Sequence, residues 1–564
     1  MVALPDIDVA IVGGGVGGIY TGWRMLTSRL SGSGLAGWEA ARGKLKVSLF
    51  EGSDRIGGRL LSARSPHMPD TTAEVGGMRY VAPAQTLVTG LVECVLKLPY
   101  HTQVVDLPGN IAFLRGRVLR TSDLGNAAAL PYWLDPAEAA WMAATGGSPA
   151  SLIGRALTRL MPDLMIHLNA GTLRQYLDTV EIDGLPLWQH GLWNILAKHL
   201  SADGYAAARA TVGYDCLGGN TNALDLTSEY FDFTPGVSYR MVNGGYETVP
   251  WELQRRYQAA GGEIQFNHWL AGFSGTTLED GSEGITLRFQ DATTKTARAI
   301  VLAMPRRSIE LLDPVGEVLG PANVQFRQDL ASVSPIPLFK CFLLYPNCWW
   351  QDSGVSSGRS LTDMPIRQCY YWPAGNEGAT IPKRDAPGLV MVYDDLLNVS
   401  FWEGLDKRAE VHKAGLPLHL RSHGHHWPMF EPSKPEMMAE SPDDPFAKRL
   451  TDNWNQHPAT RQMVNELHRE LMQMHGKDSA PYPIDAAYMD WSRDPFGGGV
   501  HLWNVNVQSD VMLTRMTQPV ENFPCYICGE AYSTNQTWAE GALQTAEIVL
   551  QQRLGLPKGE WQDG

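Results

Sequence analysis

The chain has 564 residues, 44% hydrophobic and 19% charged, with 46 basic against 60 acidic side chains and a net charge of −14. Such a length divides into roughly two to four units with their own cores, and the acidic balance speaks against nucleic acid or an anionic membrane as the main partner. No apolar run reaches the length of a membrane span, and 7 cysteines, an odd number, do not make a disulfide framework.

The N-terminal stretch "MVALPDIDVAIVGGG" lacks a basic start followed by a cleavable apolar run, so a soluble protein in the cytoplasm is expected. Residues 7–12 predict a strand that meets a glycine cluster and continues into a helix with Ile19, Tyr20, Trp23 and Leu26 on one face. Residues 28–44 are small, Gly-rich and polar and read as a loop, and "KLKVSLFEG" gives a second strand ending at Glu51. Strand, turn, helix, strand is the opening of a dinucleotide-binding sheet.

Gly13, Gly15 and Gly18 fit G-x-G-x-x-G at the strand-to-helix turn. In that pattern the first glycine permits the turn, the second admits a pyrophosphate, and the third packs helix on strand. The helix N-terminus then offers N–H groups to phosphate, and Glu51 is placed to accept from ribose hydroxyls. These residues alone leave NAD and FAD undistinguished.

Further along, "EVGGMRYVAP" (74–83) sets Arg79 two residues after Gly76-Gly77, where the backbone can approach a flat or charged group closely. Residues 119–230 carry helical spacing rich in Ala, Leu, Trp and Met. Strands resume with "GGEIQFNHWLAGF" and "GITLRFQDATTKTARAIVLAMP", then "LFKCFLLYP" and "GLVMVY". Residues 404–480 contain helices and a loop, "HGHHWPMFEPSKPE", with no assigned place. The chain ends with the strand "YICGEA" and a helix, "AEGALQTAEIVLQQRLG", closed by Gly555. Cys525 and Cys528 make a C-x-x-C without a second pair or a histidine at ligand spacing. They read as strand cysteines, and no metal is expected.

"EGSDRIGGRL" resembles the E-x5-GGR of the FAD-dependent amine oxidase superfamily, as do the later blocks "GGYETVPWEL" (244–253) and "CGEAYSTNQTWAEGAL" (528–543). The resemblance implies FAD as cofactor. It places Gly17, Gly58, Arg59, Gly76, Gly77 and Met78 beside it, with Glu530 on the ribityl chain after Gly529. Backbone N–H groups from Trp538 to Ala542 would face the flavin, and Leu270 would contact adenine.

Within the superfamily, "LFKCFLLYPNCWWQDSGVSSGRSLTDMPIRQCYYWP" (338–373) and "WSRDPFGGG" (491–499) resemble the L-amino acid oxidases, the venom enzymes included. By that resemblance Arg79 grips the substrate α-carboxylate, Tyr393 in "VMVYDD" assists it, and Lys340 holds a water beside flavin N5. Thr537, Trp538, His501 and Trp503 would line the substrate cavity. One departure stands out: the segment "EYFDFTPGVSYRMVNGG" lacks the histidine that venom enzymes place there as a proposed base.

The implied fold is α/β, with a Rossmann-like FAD-binding domain on a discontinuous chain, a mixed-sheet substrate domain and an inserted helical domain. Its expected segments are 1–118 (FAD-binding, with the start of the substrate domain), 119–232 (helical), 233–328 (FAD-binding), 329–485 (substrate) and 486–564 (FAD-binding). The implied activity is oxidation of L-amino acids, apolar or aromatic ones favoured, to 2-oxo acids, ammonia and hydrogen peroxide, in a homodimer. Amine or polyamine oxidation, and amino acid monooxygenation to an amide, stay open at this point.

Overall fold

The computed structural model describes residues 4–216, 219–232, 237–312, 316, 318–372, 383–406 and 444–562. The stretch "HGHHWPMFEPSKPE" lies outside them. The fold is mixed α/β, organised around two seven-stranded sheets.

In the first sheet the apolar run Ile7–Val12 is buried on both faces, as its lack of polar alternation requires. It runs parallel to Val47–Phe50 on one side and to Thr294–Leu302 on the other. Glu263–Gln265 extends the parallel order beyond Val47–Phe50, and Cys525–Ile527 pairs parallel with the end of Thr294–Leu302. The start of that strand carries an antiparallel meander, Glu283–Phe289 then Leu270–Thr277. Segments more than 500 residues apart in sequence thus share one sheet. Helix Val16–Thr27 packs against Thr248–Ala259 and Ala539–Ile548.

The second sheet runs Asp485–Asp490, Leu338–Tyr345, Gly388–Asp395, Gln368–Trp372, Gly358–Thr362, Ile111–Leu114, Arg117–Arg120. Its pairings are antiparallel apart from Gly358–Thr362 with Ile111–Leu114. Period-two alternation sorts the side chains of Leu338–Tyr345. Phe339, Cys341 and Leu343 join the core that includes helix Arg461–Met474, while Leu338 and Phe342 join a core on the other face. Lys340 shares that second face. The strand Asp485–Asp490 spans the expected boundary at 485 and pairs within this sheet.

The helices from Pro136–Thr145 to Ala223–Asp232 follow the strand Arg117–Arg120 in sequence and pack around an apolar core that also takes in Ala112, Leu114 and Leu361 of the second sheet. Leu119 and Arg120, expected at the start of this helical stretch, instead finish the strand Arg117–Arg120. The expected loop at 28–44 contains a short helix, Ala36–Arg42, which ends at Gly43 with φ 85°. Its alanines favour the helix, but it buries no residue, so the apolar periodicity that reveals a helix is missing. Among the described residues no helix is long and apolar enough to cross a membrane.

Candidate functional site

A cavity of about 700 Å³ passes from the Gly13 turn to the second sheet, a size within the range of small-molecule and cofactor sites. At one end are Gly13, Gly15, Gly17, Glu51 and, from the meander, Leu270. Gly13 takes φ 102°, and a Cβ there would lie 2.4 Å from the Ala303 carbonyl oxygen. A Cβ on Gly18 would meet the Gly13 carbonyl oxygen at 2.0 Å, so this glycine serves helix-on-strand packing, and it does not line the cavity. Gly15 is different: nothing lies within 4 Å of where its Cβ would be. Its open side faces the cavity at the N-terminus of helix Val16–Thr27, which is the cradle a pyrophosphate needs.

Glu51 is held by this turn. Its carboxylate accepts from the Gly14 N–H at 2.6 Å and from the Ser53 N–H and hydroxyl, both at 2.8 Å. Gly58, Arg59, Gly76, Gly77 and Met78 continue the wall. Gly76 packs so closely on the backbone of Arg59 and Leu61 that an added Cβ would lie 2.1 Å from the Arg59 carbonyl oxygen.

Gly529, Glu530, Thr537, Trp538 and Ala542 also line the cavity. Glu530 is the centre of a dense polar knot. It receives the Arg59 guanidinium at 2.9 Å, the His501 N–H at 2.7 Å, His501 Nδ1 at 3.0 Å and the Thr537 N–H at 3.2 Å. Burial by itself would push its pKa up, but Arg59 and His501 hold the carboxyl down to about 2. Thr537 adopts φ 71°, unusual for a threonine, and its hydroxyl donates to Glu229 at 3.1 Å.

His501 and Trp503, expected as cavity walls, lie outside its lining. His501 is fully buried with Nδ1 on Glu530. Trp503 donates from Nε1 to the Ser533 carbonyl and lines a separate cavity of about 170 Å³. Both sit on the strand Val500–Trp503, which pairs with Val333–Ile336 and so turns these side chains into the core.

Arg79, Lys340 and Tyr393 come together at the second sheet. Arg79 is buried, with its guanidinium 4.2 Å from the centre of the Tyr239 ring. It donates to Gln103 Oε1 and to the Tyr214 hydroxyl, both at 2.9 Å. Among the described residues no carboxylate pairs with it. A buried cation whose partners are all neutral is costly unless a ligand completes it. Lys340 donates to the carbonyls of Glu74, at 3.1 Å, and Gly76. Burial pushes it down to about 7 against the pull of Glu74.

Sequence reasoning missed Tyr214, Tyr239, Gln103 and Glu229. Gln103 and Tyr239 meet because the strands Tyr80–Ala82, Ser238–Val242 and Tyr100–Thr102 form a small sheet beside Arg79. That pairing joins positions well over a hundred residues apart, and no local motif marks it. Glu229 carries a faint signal, since it opens the stretch "EYFDFTPGVSYRMVNGG", which lacks the venom enzymes' histidine.

A sequence profile of the flavin containing amine oxidoreductases matches residues 36–413. The chain is 25% identical to Aplysianin-A of Aplysia kurodai, over 96% of this chain and 89% of that protein. It is 23% identical to Achacin of Lissachatina fulica, over 97% and 93%. An L-amino-acid oxidase of Crotalus adamanteus is 24% identical over 66% of this chain and 67% of its own length. Among solved structures, a putrescine oxidase redesigned in its cofactor binding superposes with a TM-score of 0.60 at 15% identity, covering 97% of this chain and 98% of that one. That likeness speaks for the fold alone. Glycine turn and profile agree: the chain belongs to the flavin containing amine oxidoreductase family, and its cofactor is FAD.

Proposed function

We propose that this protein is an FAD-dependent oxidase of L-amino acids that yields 2-oxo acids, ammonia and hydrogen peroxide. The observation that carries the reading is Arg79: a buried guanidinium opening on the cavity, held by Gln103 and Tyr214, with no carboxylate of its own among the described residues. Its planar fork suits the two oxygens of an α-carboxylate. An amine without a carboxylate leaves the cation unpaired.

In this reading the parallel sheet with its meander is a Rossmann-like FAD-binding domain, the second sheet a substrate domain, and the helices an inserted domain. Gly13, Gly15, Glu51, Arg59 and Glu530 would hold FAD, which, when bound, supplies the acceptance of hydride from the substrate Cα and its return to dioxygen. The chain's own residues supply position and electrostatics. Arg79 fixes the carboxylate, while Tyr393, Tyr214 and Trp538 exclude bulk water. Lys340, directly opposite Tyr393 in the sheet, carries a proton that can be exchanged near neutral pH. Release and hydrolysis of the imino acid give the oxo acid and ammonia. The aromatic walls suit apolar and aromatic side chains. A homodimer and a cytoplasmic location belong to the same proposal, and light scattering and cell fractionation test them.

The decisive test is anaerobic addition of L-Phe, D-Phe and phenethylamine to the purified holoprotein. Bleaching of the flavin band by L-Phe alone is expected. Bleaching by phenethylamine to the same degree overturns the carboxylate clamp in favour of an amine oxidase.

A further inference from the structure

Tyr393 sits on the cavity wall with its hydroxyl committed to another side chain. It donates to Asp395 Oδ2 at 3.3 Å. Asp395 lies two residues along the strand Gly388–Asp395, on the same face, and is 2% exposed. Its other oxygen, Oδ1, accepts the backbone N–H groups of Asp215 at 2.7 Å and Cys216 at 3.1 Å. A backbone N–H can only donate. Oδ1 is therefore a fixed acceptor, and any proton on this carboxyl goes to Oδ2, the oxygen facing Tyr393.

Two states follow. With Asp395 ionised, the Tyr393 hydrogen points into the protein and a lone pair faces the cavity, where it repels a carboxylate. With Asp395 protonated, Oδ2–H donates to Tyr393 Oη and frees the tyrosine hydrogen to turn outward. We infer that Asp395 is a positioning residue that sets the direction of the Tyr393 hydroxyl, and that its protonation turns that hydroxyl towards the carboxylate held by Arg79. The inference rests on the amino acid reading given above.

The charged and titratable groups around Asp395 come from several elements. On its own strand Asp394 faces the other way, to Trp402 Nε1 at 2.6 Å. Asp215 is held by Arg367 at 3.1 Å and by Asn398 at 2.9 Å. The Cys216 thiol reaches the Asp395 carboxylate, with Glu229 beyond it. Tyr214 packs edge-on to Tyr393 at 5.4 Å, and Lys340 Nζ lies 5.9 Å from the same ring. Burial raises the Asp395 carboxyl and the neighbouring Asp215 charge adds to it, against the hydrogen bonds it accepts, to about 6. The switch accordingly falls within the working range of pH.

The test is calorimetric binding of 3-phenylpropionate, a carboxylate with no amine to oxidise, to the holoprotein between pH 5.5 and 8. In the wild type the Kd is expected to weaken about tenfold over that range, the factor of one charge-assisted hydrogen bond. In Asp395→Asn the two backbone donors pin the amide oxygen at the Oδ1 position and leave the NH2 donating to Tyr393. That variant is expected to keep the tight, low-pH Kd throughout. Tyr393→Phe is expected to be flat and weak. Lys340 titrates in an adjoining window, so the comparison with Asp395→Asn decides. A flat wild-type profile, no binding at pH 5.5, or a slope as steep in Asp395→Asn or Tyr393→Phe as in the wild type overturns the inference. The amino acid reading fails by a separate result, the absence of flavin bleaching in the wild type by any L-amino acid.

Discussion

Lys340 and Tyr393 are directly opposed across two antiparallel strands, with Lys340 Nζ 5.9 Å from the centre of the Tyr393 ring. On its other side the same nitrogen donates to the carbonyls of Glu74 and Gly76, the segment that leads into Arg79. One buried amine therefore joins the strand that carries Tyr393 to the turn that carries Arg79.

Its pH dependence has a definite sign. Burial holds Lys340 at about 7 in the folded chain, against 10.5 for the ordinary side chain. Between these values the unfolded chain binds a proton that the folded one does not, so this residue makes stability rise with pH. Below the folded value both states are protonated and the cost of the buried charge is fully present. Denaturant unfolding of the wild type and Lys340→Met between pH 6 and pH 9 is expected to show the wild type gaining on the variant as pH rises. A constant difference contradicts this.

Arg79→Met is expected to lower kcat/KM for L-Phe at least a hundredfold, since two charge-assisted bonds of about 1.5–3 kcal/mol each are lost. Any turnover of phenethylamine changes little by comparison, because that substrate offers the guanidinium no partner. Arg79→Lys restores the charge without the fork and should recover only part of the loss. Steady-state kinetics with both substrates distinguishes this from a general folding defect, which lowers both rates together.

Glu530 carries the opposite linkage. Its folded carboxyl lies at about 2, below the usual 4.5, because Arg59 and His501 outweigh the effect of burial. Its contribution to stability is present above pH 4.5 and is lost as pH falls from there towards 2. Glu530→Gln leaves Arg59 without its carboxylate and is expected to cost roughly 3 kcal/mol, the scale for breaking a buried ion pair. The difference between wild type and variant should shrink in acid, as read by thermal unfolding at pH 7 and pH 3.5.

Much of the cofactor side was legible because its signals are local. Gly13, Gly15 and Glu51 sit within one strand–helix–strand unit, where spacing alone restricts geometry. Arg79 and Lys340 were legible only through resemblance, since nothing adjacent in sequence reveals Gln103, Tyr214 or the carbonyl of Gly76 as their partners. His501 shows the limit of that approach. The resemblance implied a cavity wall, yet the strand pairing of Val500–Trp503 directs it to Glu530. A side chain's direction depends on register, which the motif does not encode.

Gly15 and Gly18 belong to one motif but fail differently when a methyl group is added. Gly15 has φ −61° and ψ 172°, a conformation open to any residue, and nothing lies within 4 Å of its added Cβ. Gly15→Ala is thus expected to leave the thermal unfolding of the flavin-free protein within about 2 °C of wild type, because no packed atom is displaced. The methyl group occupies the space where a pyrophosphate meets the helix N-terminus, so the Kd for FAD should rise at least tenfold, seen as a smaller stabilisation by added FAD. Gly18→Ala meets the Gly13 carbonyl oxygen at 2.0 Å and the Ala303 Cβ at 3.0 Å. It is expected to destabilise the flavin-free protein itself, before cofactor binding is at issue. If both variants lower the flavin-free transition equally, the open side of Gly15 is not a ligand cradle; if Gly15→Ala binds FAD as the wild type does, the pyrophosphate lies elsewhere on the turn.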